Sequence, residues 1–279
     1  MQHIIDALQR SKDESTKKVV ENDNISSQHE PDTEKIQYTK SRIIPLDNRV
    51  LKKNRIIAGI GPGSINDSYR ILRTQILQRM QDNNWNVLAI TSPKTGEGKT
   101  VTAINLAITM AMEINHTVLL VDLDLRNPCV HKYFGYQPDK GISDYLNKSA
   151  QLDEILINPS IDRLVVLPGR EAIFNSSEIL SSPLLVRMVG ELKTRYPQRL
   201  VLFDLPPLLD VDDALAFSPY VDAVLLVLEE GKTTEDELKQ TMDILKPFNV
   251  IGSVLNKTYT IKKKNYTGNN SANNRRVLN

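Results

Sequence analysis

The segment Ser92-Pro93-Lys94-Thr95-Gly96-Glu97-Gly98-Lys99-Thr100 carries the residue types that bind phosphate. Glycines at 96 and 98 let backbone N–H groups turn inward around an anion without a Cβ clash. A helix starting at Lys99 or Thr100 sets its positive end against the same charge. The Lys99 ammonium would reach the β- and γ-phosphates of a nucleotide, and the Thr100 hydroxyl would ligate Mg²⁺. The nucleotide loop is therefore read as Lys94, Thr95, Gly96, Glu97, Gly98, Lys99, Thr100 and the following Val101, with ATP and Mg²⁺ as cofactors. Pro93 stands where the full G-x-x-x-x-G-K-[ST] pattern has its first glycine. A bare GKT could be a fortuitous Gly-rich turn. Its position between an apolar strand and an apolar helix favours the phosphate loop.

Acids at two strand ends complete the chemistry. Val118 to Arg126 reads VLLVDLDLR, with Asp122 and Asp124 two residues apart. If the strand continues through them, both carboxylates point the same way and could share metal, water or hydroxyl activation. The bland alternative is a capping or turn pair. Leu200 to Pro207 reads LVLFDLPP. It resembles a Walker B strand whose Asp204 holds Mg²⁺ through water, with the prolines ending the strand. The metal set is thus Thr100, Asp122 and Asp204. Lys94 has two readings: an exposed loop lysine, or a lysine that reaches a partner subunit's nucleotide.

These groups need a scaffold, and the hydrophobic pattern supplies one. Ile65, Tyr69, Leu72, Ile76 and Met80 recur at helical spacing, with Asp67, Arg70 and Arg73 as a charged ridge beside them. Asn86–Thr91, Thr117–Asp124, Leu164–Pro168, Leu200–Asp204, Ala223–Leu228 and Val250–Leu255 read as strands. Helices are expected over Thr100–Met112, Ser177–Tyr196 and Thr234–Lys246, the last with Thr234 as N-cap. Apolar strands alternating with helices predict an α/β fold, a mostly parallel central sheet with helices on both faces. In such sheets ligands bind at the carboxyl ends of the strands.

Composition sets the outer bounds. The 279 residues suffice for one large α/β domain. Lys+Arg is 35 against Asp+Glu 34, a net charge of +1, which gives no global pull toward nucleic acid. The single cysteine, Cys129, permits no intrachain disulfide and is read as a small buried residue. It forms no zinc-ligand spacing with His3, His29, His116 and His131. No apolar run approaches the roughly 18 residues of a spanning helix, and no secretory leader is recognised. Residues 1–50 are expected to be a polar, disordered tail, with Ile4, Ile5 and Leu8 as a possible docking turn. The folded domain is expected over 51–257. A basic tail is expected over 258–279.

Together these elements resemble the deviant-Walker P-loop superfamily. Within it the chain is similar to the bacterial tyrosine autokinases of exopolysaccharide synthesis, in particular those associated with exosortase systems. The resemblance spans about residues 65 to 257 and rests on the loop with Pro93, VDLDLR, FDLPP and DSYRILRTQI (Asp67 to Ile76). It also includes GISDYL (141–146), DDALAF (212–217), VLNK (254–257) and the opening MQHIIDALQRSK. The resemblance implies transfer of the ATP γ-phosphoryl to a tyrosine, with Lys99, Asp122, Asp124 and Arg126 catalytic. Asp122 would be the base or hydroxyl orienter; Asp124 and Arg126 would support the site and meet the tyrosine segment. It also implies that Asn256 touches adenine and that Asp67, Arg70 and Arg73 dock a neighbouring subunit of a homo-oligomer. Tyr259 and Tyr266 are the acceptor candidates. The implied partner is a membrane chain-length determinant, or polysaccharide co-polymerase, at the inner face of the membrane. Two alternatives stay open. Lys94 motivates a positioning or partition ATPase, and the sparse tail tyrosines motivate a nucleotide-gated adaptor without catalysis.

Overall fold

The computed structural model describes residues 41–57, 63–194 and 198–258. The expected docking turn near the start, Tyr259, Tyr266 and the basic tail lie outside the described residues. Eight strands form one sheet: β1 (Arg42–Ile43), β2 (Val87–Thr91), β3 (Thr117–Asp122), β4 (Ile157–Asn158), β5 (Leu164–Leu167), β6 (Arg199–Asp204), β7 (Ala223–Glu229) and β8 (Val250–Asn256). Their spatial order is β1-β4-β5-β3-β6-β2-β7-β8, and every pairing is parallel except β4 with β5.

The strands are buried because both faces are covered. β2, β3 and β5 are buried along their whole length. Alternate strand residues, among them Leu88, Ile90, Leu120, Leu202 and Leu225, share a core with helix α3 (Lys99–Ala111). Twelve of the helix's residues are buried, so it is enclosed on nearly every side, with Lys99, Thr100, Thr102, Asn105 and Thr109 buried among its apolar residues. Helix α2 (Ser64–Asp82) adds Ile76 and Met80 to that core, as its apolar stripe predicts. On the other face Phe203 of β6 meets Phe217 edge-on, ring centroids 4.9 Å apart. Phe217 closes the short helix α8 (Asp213–Phe217).

The expected single helix over Ser177–Tyr196 is two helices, α6 (Ser176–Leu180) and α7 (Pro183–Thr194). Pro183 explains the break: its ring fits the first turn of a helix but not an interior. The expected N-cap Thr234 accepts from the Glu237 N–H at 3.2 Å, and Glu237 returns a bond to the Thr234 N–H, a capping box opening α9 (Glu235–Leu245).

The expected domain start at residue 51 falls inside helix α1 (Asn48–Lys53). Folded structure begins earlier: β1 pairs with β4, and Leu51 and Ile56 are buried in the main core. Polar flanks hide this segment from a composition reading. Among the described residues no helix is long and apolar enough to cross a membrane.

Candidate functional site

The strand order places the site. β6 lies between β2 and β3, so its end, Asp204, sits beside Ile90 of the strand that enters the loop and beside Asp122 of β3. β3, the next strand in the chain after the loop and its helix, is separated from β2 by β6. The Thr100 hydroxyl, in the first turn of α3, therefore donates to Asp204 Oδ2 at 2.6 Å. Lys99 Nζ bonds Asp124 Oδ2 at 2.6 Å and lies 3.8 Å from Asp204 Oδ1.

Asp122 and Asp124 do not act as a matched pair on one strand face. β3 ends at Asp122, and the two carboxylates take different partners. Asp122 Oδ2 accepts the N–H groups of Cys129 and Val130, at 2.9 and 3.0 Å, where the short helix α4 (Val130–Phe134) begins. Asp124 takes Lys99 and the Asn127 N–H. Asp122 Oδ1 and Asp204 Oδ1 are buried without a hydrogen-bond partner among the described residues.

Two carboxylates, Asp124 and Asp204, thus share one ammonium, and Asp122 lies beside Asp204. Burial, then the charge of Asp204, pushes Asp122 well above the usual carboxylate range. Burial raises Asp204 as well, against the pull of Lys99 and Thr100. Burial opposes the charge on Lys99, but Asp204 and Asp124 outweigh it and drive its pKa upward. The cluster is short of positive charge and presents hard oxygens. That fits Mg²⁺, which takes one or two carboxylates and leaves its remaining positions to phosphates and water. No group of three or more His, Cys, Asp or Glu that would make an all-protein metal cage occurs among the described residues. Cys129 Sγ lies 3.6 Å from the Thr100 hydroxyl, and burial with Asp204 and Asp122 pushes its thiol up to about 12, so it stays an inert thiol.

The loop itself is shaped by its glycines. Gly96 and Gly98 hold φ of 88° and 97°, the left-handed region. Side chains from other strands and loops hold the rest. Asp210 accepts from the Thr95 N–H and hydroxyl at 2.9 and 2.8 Å. The buried Glu97 accepts from the Lys94 N–H at 2.9 Å and from the Thr233 hydroxyl. Asn256 Nδ2 donates to the Glu97 carbonyl at 2.8 Å, and Lys257 Nζ to the Gly96 carbonyl at 2.7 Å.

Other expected residues lie in different company. Arg126 donates to Ser176 at 3.0 Å and to the buried Asp213 at 3.1 Å, so its guanidinium fastens α6 to α8. Lys94 Nζ pairs with Glu237 of its own chain at 2.5 Å. In the ridge, Asp67 and Arg70 are exposed and 3.9 Å apart. Arg73 instead bonds the Thr109 carbonyl at 3.3 Å and Glu113 at 2.8 Å, which ties α2 to the end of α3.

The loop, the helix behind it and the acids at the strand ends define a P-loop nucleotide-binding protein, and residues 85–258 match the family described as an AAA domain. The tyrosine-protein kinase YwqD of Bacillus subtilis is 32% identical over 226 residues, which cover 77% of this chain and 94% of YwqD. The kinase domain of the Escherichia coli tyrosine kinase ETK has the same fold, with a TM-score of 0.69 at 26% identity over 81% of this chain and 91% of that one. The chain belongs to the family of bacterial tyrosine-protein kinases. The septum site-determining protein MinD of Pyrococcus horikoshii, solved with Mg-ADP, shares the fold more distantly, with a TM-score of 0.51 at 22% identity over 61% of this chain.

Proposed function

We propose that this chain is an ATP-dependent protein-tyrosine autokinase that regulates exopolysaccharide synthesis or export. The observation that carries the reading is Asp122, a buried carboxylate with one oxygen locked on backbone N–H groups and the other without a partner. It stands next to Asp204, whose other oxygen holds the Thr100 hydroxyl. Locking fixes the orientation of the free oxygen, as an acceptor for a substrate hydroxyl requires.

In the proposed reaction the tyrosine oxygen bonds to the γ-phosphorus as the bond to the β,γ-bridging oxygen breaks. ADP leaves, and the phenolic proton passes to the Asp122 carboxylate. Lys99 turns from Asp124 to the phosphates and stabilises charge on them. Thr100, Asp122 and Asp204 would hold Mg²⁺, which supplies charge neutralisation at the phosphates. Arg126 acts by holding α6 and α8 in place. Tyr259 and Tyr266 remain the proposed acceptors. A membrane chain-length determinant remains the proposed partner, bringing the chain to the inner face of the membrane. The exposed pair Asp67–Arg70 is the proposed contact between subunits of a homo-oligomer.

The positioning-ATPase reading needs Lys94 free to cross to a partner subunit. Its ammonium is engaged by Glu237 in its own chain, which counts against that use.

The test is incubation with Mg-ATP, with and without the cytoplasmic segment of the membrane partner, and phosphotyrosine mapping by mass spectrometry. Phosphotyrosine that disappears in Lys99→Ala and Asp122→Asn is the expected result. ATP hydrolysis without phosphotyrosine would shift the assignment to a positioning-type ATPase.

A further inference from the structure

We infer that Asn256 and Lys257, at the end of β8, set the phosphate-binding conformation of the loop by pinning two of its carbonyls from outside. They act as positioning residues, one step removed from the ligand. The inference rests on the proposed nucleotide site and is independent of which group accepts the phosphoryl.

The geometry is a property of the trans peptide, in which C=O and the following N–H point in opposite directions. Lys257 Nζ holds the Gly96 carbonyl, so the Glu97 N–H of the same peptide plane is turned the opposite way. Asn256 Nδ2 holds the Glu97 carbonyl, so the Gly98 N–H is turned away from Asn256. Consecutive N–H groups presented by αL glycines are the donors that make an anion nest. The two side chains therefore fix the two peptide planes at the centre of the loop.

Three further observations belong to the same device. Lys257 adopts φ 58°, a left-handed conformation that a lysine rarely takes. Glu229, at the end of β7, holds its ammonium at 2.9 Å and so limits where that long side chain can go. A Cβ on Gly98 would lie 2.1 Å from Asn256 Nδ2, so the amide fills the space that any side chain at 98 would need. Gly98 suits the φ of 97°, and a side chain there would push the Asn256 amide off the Glu97 carbonyl.

This differs from a contact with the adenine ring, the role that resemblance implies for Asn256. A base contact would discriminate adenine from guanine and ignore a ligand without a base. A peptide-plane pin does the opposite. The experiment is calorimetric titration of the full chain with ADP, GDP and tripolyphosphate. The variants are Asn256→Leu, which removes the donor at similar shape and no change of charge, and Lys257→Met with Lys257→Arg as rescue. Asn256→Leu and Lys257→Met should weaken ADP and tripolyphosphate alike by about tenfold, the scale of one lost hydrogen bond in a preorganised site. The ADP-to-GDP ratio should stay as in the parent, and Lys257→Arg should bind close to it. Unchanged tripolyphosphate affinity in both variants overturns the inference, as does a collapse of the ADP-to-GDP ratio in Asn256→Leu. A parent chain that binds neither ADP nor tripolyphosphate would remove the phosphate site itself, and the inference with it. Parent binding with unaffected variants sinks the pin alone.

Discussion

At the residue scale, the site is an electrostatic conflict held in place by packing. Asp122 is fully buried, and in the chain without nucleotide or metal its carboxyl keeps a proton that the unfolded chain would release; Mg²⁺ bound beside it would pull that pKa down and leave the carboxylate that accepts the phenolic proton. Its folded pKa lies above the ordinary 3.8. Its contribution to stability is therefore complete below that value and is lost as pH rises through the higher folded value. An asparagine there still accepts from the Cys129 and Val130 N–H groups and has no proton to lose. Asp122→Asn should thus melt near the parent at about pH 4 and above it at about pH 8, the gap growing by up to about 1.4 kcal/mol per pH unit between them. Ligand-free melting curves of both proteins across that range decide it. A constant gap would mean that Asp122 is ionised throughout. Lys99, Thr100, Asp122 and Asp204 were all legible in the sequence, because a Gly-rich loop and acids at apolar strand ends are local signals. Asp210, Thr233, Asp213 and Ser176 were not. Each is an ordinary polar residue whose partner lies 50 or more positions away in the chain.

At the element scale, the charged ridge on α2 divides into two environments. Arg73 reaches the Thr109 carbonyl near the end of α3 and pairs with Glu113, while Arg70 stays on the surface with Asp67. A guanidinium at a helix C-terminus gains from the carbonyls there. Arg73→Ala should cost about 1–2 kcal/mol of stability by denaturant unfolding. Arg70→Ala should cost under about 0.5 kcal/mol and show its effect in the sedimentation profile. Equal losses in unfolding would show that the ridge is one surface feature after all. The cap on α9 gives a second check: Thr234→Ala should lower stability by about 1 kcal/mol. Long elements were readable because period-2 and period-3.6 patterns need length to show. α4, α5 (Ile142–Leu146), α8, β1 and β4 run two to five residues each and carry no period. Nor did any pattern reveal that β6 inserts between β2 and β3, since strand order is decided by long-range packing.

At the scale of the whole molecule, residues 41–57 work as a strap. β1 extends the sheet beside β4, Leu51 and Ile56 enter the core, and Val50 packs against Gly135 closely enough to exclude a side chain there. The buried Asn105 of α3 relies on this segment: it accepts from the Ile57 N–H at 2.9 Å and donates to the Arg55 carbonyl at 3.0 Å. Asn54 adds bonds to the carbonyls of Lys132 and Tyr133. A chain that begins at residue 58 would lose two buried aliphatic side chains, worth roughly 1.5–3 kcal/mol each. It would also lose two of the hydrogen bonds of Asn105, which keeps its bond to the Val101 carbonyl, at about 0.5–1.5 kcal/mol each. The sum is at least about 4 kcal/mol, or about 10 °C in Tm for a domain of this size. A chain that begins at residue 41 keeps all of these contacts. Thermal melts of the two shortened chains should therefore differ by that amount. Matching melts would place the folding boundary after the strap, later still than the residue 51 expected from composition. Because α3 begins at the phosphate loop, a chain without the strap should also bind ADP more weakly than its melting temperature alone explains.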